Sequence, residues 1–260
     1  MNMIFKSALS LVTASVILVS CAGNSINLSK KQKEGSAKID HSIWNTLLQK
    51  HVNEEGWVNY EGFIADSAEL NKYTAMLRTT EPSKLSDKER FVFWINTYNS
   101  FTVDLIVRNY PVESIKDIGG SVPLVNKVWG MDLPIKVNGK TYSLSDIEKK
   151  ELLNKLFDPR IHFAINCASY SCPKLLNEAF ATDRIEEQLN KQARFFVNNP
   201  IKNEIGTESA ELSKIFLWYR FDFTKDMSLE EYLNQYSDVK VTKDTKFSYK
   251  EYVWTLNKQQ

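Results

Sequence analysis

The chain has 260 residues, with 33 lysines and arginines against 32 aspartates and glutamates, a net charge of +1. Charges so nearly balanced create no field for nucleic acid or an anionic lipid surface, and 43% apolar residues suit an ordinary globular domain. No glycine-rich phosphate loop, internal repeat or second apolar span is present, so the sequence indicates no flavin, nicotinamide or nucleotide cofactor.

The first segment reads as a signal peptide over residues 1–20. Lys6 precedes an apolar stretch from Ala8 to Leu18, too short to span a bilayer as a helix. Leu18-Val19-Ser20-Cys21 follows and resembles the lipobox of bacterial lipoproteins, which implies a fatty-acylated Cys21 as mature N-terminus. Ala22 in the next position, by the same resemblance, favours the outer membrane, lipid-anchored on its periplasmic side. Residues 21–38 are polar and read as a tether. Residues 39–260 show no linker and are expected to form one globular domain.

In that region the spacing predicts a helix over 40–52, with Trp44, Leu47, Leu48 and His51 on one face, and a short extended piece at 57–60. Another helix is expected near 67–77. Ser86 to Glu89 forms a capping-box pattern and opens a helix to about Asn109, stopped at Pro111. Its faces are apolar almost all round, so it is the core helix. Asn138-Gly139 predicts a hairpin, and Ser145 with Glu148 a second capping box and a helix to about Leu156. Arg160 to Leu175 reads as a buried strand from Ile161 running into an ordered loop. In a strand, His162, Ala164 and Asn166 would share one face and Cys167 the other. Asp183 opens a helix ending near Pro200. Extended pieces at 212–217, a helix at 228–236 and a closing strand at 247–256 complete an α+β pattern of helices around a small, largely antiparallel sheet.

The strings GWVNYEGF, FWINTYNSFT, YPVESIKDIG, DPRIHFAINCASYSCPKL, LSKIFLWYRFDF and YVWTLN resemble the domain-of-unknown-function family 547, in the expected order over 39–256. The resemblance draws attention to Asn96, Tyr98 and Asn99 in the helix motif and to His162, Asn166, Cys167, Ser171, Cys172 and Pro173 in the strand-loop motif. It implies no reaction.

Buried amides need partners, so Asn96 and Asn99 either bond irregular backbone or line a pocket with Tyr98 and Ser171 as binding residues. Around His162 four arrangements stay open. Cys172, ahead of Cys167, is a nucleophile deprotonated by His162 and assisted by Asn166, similar in parts to the papain and transglutaminase superfamily, although His precedes Cys here. Cys167 and Cys172 form a structural disulfide, which an oxidising compartment and a short loop permit. His162, Cys167 and Cys172 hold zinc, without the usual short ligand spacings. The last is two inert buried thiols.

Elsewhere, His41 and His51 read as surface or packing residues, Lys149, Lys150 and Glu151 as a solvated helix face. Trp218, Tyr219, Arg220 and Asp222 read as core packing with an Arg-Asp pair, or as the border of a cleft. The expectation is an envelope lipoprotein whose polar Asn/His/Cys centre is a binding site stabilised by a Cys167-Cys172 disulfide; the alternative is a thiol-dependent hydrolase or acyl transferase. Its expected partner is the membrane through its lipid anchor, and no nucleic acid.

Overall fold

The computed structural model describes residues 37–118 and 134–259; the leader, Cys21 and the tether to residue 36 lie outside them. Helix α1 (Ser42–His51) buries the four expected side chains, Trp44, Leu47, Leu48 and His51. With α2 (Tyr60–Ala65) and α3 (Ser67–Thr79) it packs around α4 (Asp87–Asn109), the predicted core helix. Ser86 caps α4 by accepting the Glu89 N–H at 3.1 Å. The reciprocal half of the capping box is missing, because the Glu89 carboxylate instead accepts from the Ile39 N–H at 2.9 Å and from the Thr182 hydroxyl. At the other end Pro111 cannot continue the helix.

Strands β1 (Ile135–Val137) and β2 (Lys140–Tyr142) form the expected hairpin, with Asn138 and Gly139 at φ of 45° and 73° as a primed turn requires. The next helix starts two residues earlier than predicted. Ser143 and Asp146, rather than Ser145 and Glu148, exchange the capping bonds, at 3.0 Å each way, over α5 (Leu144–Asp146). It runs straight into a π-helical stretch, Ile147–Leu153, closed by an i→i+5 bond from the Asn154 N–H to the Lys149 carbonyl at 3.0 Å. The wider turn rotates the face: Lys149 and Lys150 stay in solvent, while Glu148 and Glu151 turn inward, Glu151 held by Lys155 at 2.7 Å.

The strand expected from Ile161 is a single helical turn, α6 (Ile161–Ala164). Short apolar runs buried on every side cannot be assigned by periodicity, and this one lies between two cores. Ile161 and Ala164 belong to the large cluster around α4; Phe163 belongs to a smaller aromatic cluster with Phe196, Phe216, Phe223 and Tyr232. The turn is pinned by Arg160, whose buried guanidinium binds Asp158 at 2.6 Å, Glu186 at 2.9 Å and Asn190 at 2.9 Å.

Helix α7 (Ile185–Asn198) leads to β3 (Glu204–Ile205) and β4 (Ser209–Leu212). Residues 214–217, expected to be extended, are helical in α8 (Lys214–Trp218), capped by Ser213; α9 (Arg220–Phe223) and α10 (Leu229–Tyr236) follow. The predicted closing strand is regular only over β5 (Lys246–Tyr249), which pairs parallel to β4 while β3 pairs antiparallel to it. The class is therefore α+β as expected, with two small sheets among the described residues in place of one, the second mixed. Among the described residues no helix is long and apolar enough to cross a membrane.

Candidate active site

Asn99 and Asn166 shape the loop from Ile165 to Pro173, while a third asparagine, Asn96, fixes the backbone at Phe180. Asn96, fully buried, donates to the Phe180 carbonyl at 2.9 Å and accepts its N–H at 3.1 Å. Asn99 donates to the Ala164 carbonyl at 2.9 Å and accepts the Asn166 N–H at 2.8 Å. Asn166 in turn donates to the Pro173 carbonyl at 2.6 Å and accepts the Ala168 N–H at 2.8 Å. All three are spent on irregular backbone, the first of the two roles the sequence left open. Ser171 is spent likewise, its hydroxyl accepting the Val253 N–H at 2.9 Å.

The clamp holds Ala168 at φ 59°, in the left-handed region, at a cost of roughly 1–2 kcal/mol for a non-glycine residue. That bend sets Cys167 and Cys172 sulfur to sulfur at 2.9 Å, unbonded; the Cys167 N–H donates to Cys172 Sγ at 2.9 Å. The disulfide expected from the compartment is thus absent here. Ser169 Oγ and Tyr252 Oη each lie 3.2 Å from Cys167 Sγ.

The thiols differ. The Cys167 S–H is placed to donate to Cys172 Sγ; when Cys167 ionises the bond runs the other way, and the Cys172 S–H, aided by Ser169 and Tyr252 against the opposing effect of burial, lowers the Cys167 thiol below its ordinary value. Burial and the adjacent Cys167 push Cys172 well up. Of the two, Cys167 is the thiol whose ionisation the surroundings favour. Behind them Lys202 donates to the Tyr170 carbonyl, its ammonium brought down by burial to about 8.

His162 does not meet Asn166, because helical geometry replaces strand alternation. Its Nε2 lies 2.8 Å from Asp222 Oδ2, and its ring stacks on Tyr219 at 3.8 Å between centroids. Among the described residues no hydrogen bond reaches Nδ1. The expected Arg-Asp pair is not formed: Arg220 reaches Tyr249 at 3.3 Å and leaves Asp222 to the histidine.

Cys167, Cys172, His162 and Tyr98 line one cavity of about 300 Å³, walled also by Trp218, Tyr219, Tyr252 and Trp254, with Glu148 and Lys149 on the π-helical side. Asn96, Asn99, Asn166 and Ser171 do not line it. Sequence reasoning missed Glu148, read as a capping residue, and Tyr252, hidden in an apparent strand. Asp222 carried a signal in the aromatic-polar cluster but was given the wrong partner. His162, Cys167 and Cys172 do not converge as metal ligands; among the described residues no group of three or more His, Cys, Asp or Glu side chains does.

The other two histidines are packing groups. His51 binds Asp66 at 2.7 Å, and His41 binds the Tyr73 hydroxyl at 2.7 Å.

These features define an α+β domain with a thiol pair and a histidine-aspartate pair facing one aromatic-walled cavity. Residues 82–197 match the family described as "Protein of unknown function, DUF547", which supports assigning that segment to the family. The matched segment contains Tyr98, Glu148, His162 and both cavity cysteines, whereas Asp222 and Tyr252 lie beyond it. No curated protein and no solved structure matches the chain.

Proposed function

We propose that this cavity carries thiol-dependent acyl chemistry, hydrolysis or transfer, with Cys167 as nucleophile and His162 as proton carrier. The observation that carries the reading is the placement of a thiol whose ionisation its neighbours favour in the same cavity as a buried histidine held by a carboxylate. The thiolate attacks the carbonyl carbon of an ester or amide and forms a C–S bond. His162, protonated by the Cys167 thiol as that thiol ionises, gives the proton to the leaving alcohol or amine, and then takes one from the water or second acceptor that displaces the thiolate from the thioester. Asp222 at Nε2 orients the ring and leaves Nδ1 as the atom available to move that proton. Alkylation with iodoacetamide and peptide mapping test the reading: label should fall on Cys167 first near pH 7, and a chain in which Cys172 is the faster thiol would overturn it.

A second reading is favoured by the 2.9 Å approach of the sulfurs. If the chain is exported, oxidation joins them and leaves a binding module with no nucleophile. Thiol counting on natively purified protein separates the two, with two free thiols supporting the enzyme and none the module.

Anchoring in the envelope belongs to the same proposal. It rests on Cys21 at the end of the lipobox-like run. Labelling with a fatty-acid analogue should mark the wild type and fail in Cys21→Ala; equal label in both would remove the anchor.

A further inference from the structure

Glu148 is a buried polar group of the cavity that nothing in the reaction uses, beside Ser145, Tyr98 and the exposed Lys149. Its side chain is 95% buried, being only 5% exposed, and its Oε1 has no hydrogen-bond partner among the described residues. Its second contact is the Tyr219 phenol, whose own ionisation is pushed up first by burial and then by the Glu148 carboxylate. A buried carboxylate oxygen without a donor is unfavourable by a margin that native folds rarely leave uncompensated, and the missing partner must bring N–H or O–H groups.

The walls narrow the choice. Trp218, Tyr252 and Trp254 pack in a run of tilted rings, at 4.7 Å and 4.6 Å between successive centroids, beside Tyr98 and Tyr219. Aromatic faces attract cations, and Trp254 already holds one: Lys116 Nζ lies 4.8 Å over its ring. A carboxylate lacking a donor inside a cavity of aromatic faces suits an organic ammonium better than a neutral donor, because it can offer the cation both a counter-charge and ring faces. An apolar or anionic occupant would leave Oε1 unsatisfied.

We propose that the cavity binds a compound with a protonated amine, held by Glu148 against the aromatic wall, so that the acyl substrate of Cys167 is an aminoacyl or peptidyl compound with a free amino group. The substrate class rests on the proposed thiol chemistry; the amine site does not.

The probes are trialanine amide and its N-acetylated form, identical but for the charge, titrated against wild type and against Cys167→Ser by tryptophan fluorescence and calorimetry. The free amine should bind at least tenfold more tightly than the acetylated peptide to both proteins, and Glu148→Gln should reduce that preference to about twofold or less. Equal affinity for the two probes, or binding of neither, overturns the amine site and means that Oε1 is satisfied by water or by its own proton. Should Glu148→Gln fail to fold, the wild-type comparison alone decides. Iodoacetamide labelling runs in parallel: an amine preference with an unreactive Cys167 sinks only the thiol reading, and a reactive Cys167 with no preference sinks only the amine site.

Discussion

The loop from Ile165 to Pro173 has two sides, and they treat buried polar groups in opposite ways. Toward α4, the amides of Asn99 and Asn166 meet backbone donors and acceptors at 2.6–2.9 Å. Toward α8 and α9, Glu148 Oε1 lacks a donor, and Cys167 is held where its thiolate forms easily. The satisfied side fixes a geometry that the open side needs. A left-handed Ala168 and two thiols in contact would relax if the clamp let go, so polar saturation on one face of the loop sustains polar incompleteness on the other.

The strongest way to break the comparison is Asn99→Leu. It strands the Ala164 carbonyl and the Asn166 N–H together, so unfolding free energy should fall by roughly 2–5 kcal/mol in a urea melt. A midpoint at or above that of the wild type would mean that the clamp does not hold the loop.

His41 measures what an incomplete polar group costs away from the cavity. Its Nε2 is buried without a hydrogen-bond partner among the described residues, and burial lowers its ring to about 4 from an ordinary 6.5. Between those values the unfolded chain binds the extra proton. Stability is therefore full above about pH 6.5 and declines as pH falls toward 4, by up to about 3 kcal/mol. Melts at pH 7 and pH 4.5 check this, and His41→Gln should flatten the decline; an unchanged slope would clear His41.

The open side is sharpened by Cys172→Ala. Removing its S–H takes away the main stabiliser of the Cys167 thiolate, so the alkylation midpoint should rise, slowing labelling at pH 7 severalfold. His162→Ala should leave that midpoint nearly unmoved while suppressing turnover. The pattern reversed, with His162 setting the midpoint, would transfer thiol activation to the imidazole. The smallest effect belongs to Ala168→Gly, where relief of the left-handed strain and added freedom in the unfolded chain oppose each other, leaving stability within about 1 kcal/mol.

Local signals carried far in this chain where one element sufficed. Ser86, Pro111 and Asn138-Gly139 placed the ends of α4 and the hairpin through their own chemistry, and the burial of Asn96 and Asn99 followed from a helix apolar on all sides. His162 was found as a candidate by its company but placed wrongly, since an apolar run buried between two cores has no period to read. Glu148 was illegible for a different reason: a π-helical turn shifts the face by part of a turn, and no sequence rule announces it. Asp222 and Tyr252 stand 60 and 85 residues from the groups they serve, distances across which only tertiary packing speaks.

That separation has a consequence for a chain made from its N-terminus onward. Core helix, clamp and both thiols are synthesised well before Asp222 and Tyr252, so a nascent or truncated chain that stops before β4 carries the cysteines with neither the carboxylate that orients His162 nor the phenol beside Cys167. On the proposed reading, the reactive arrangement is complete only with the last fifth of the polypeptide.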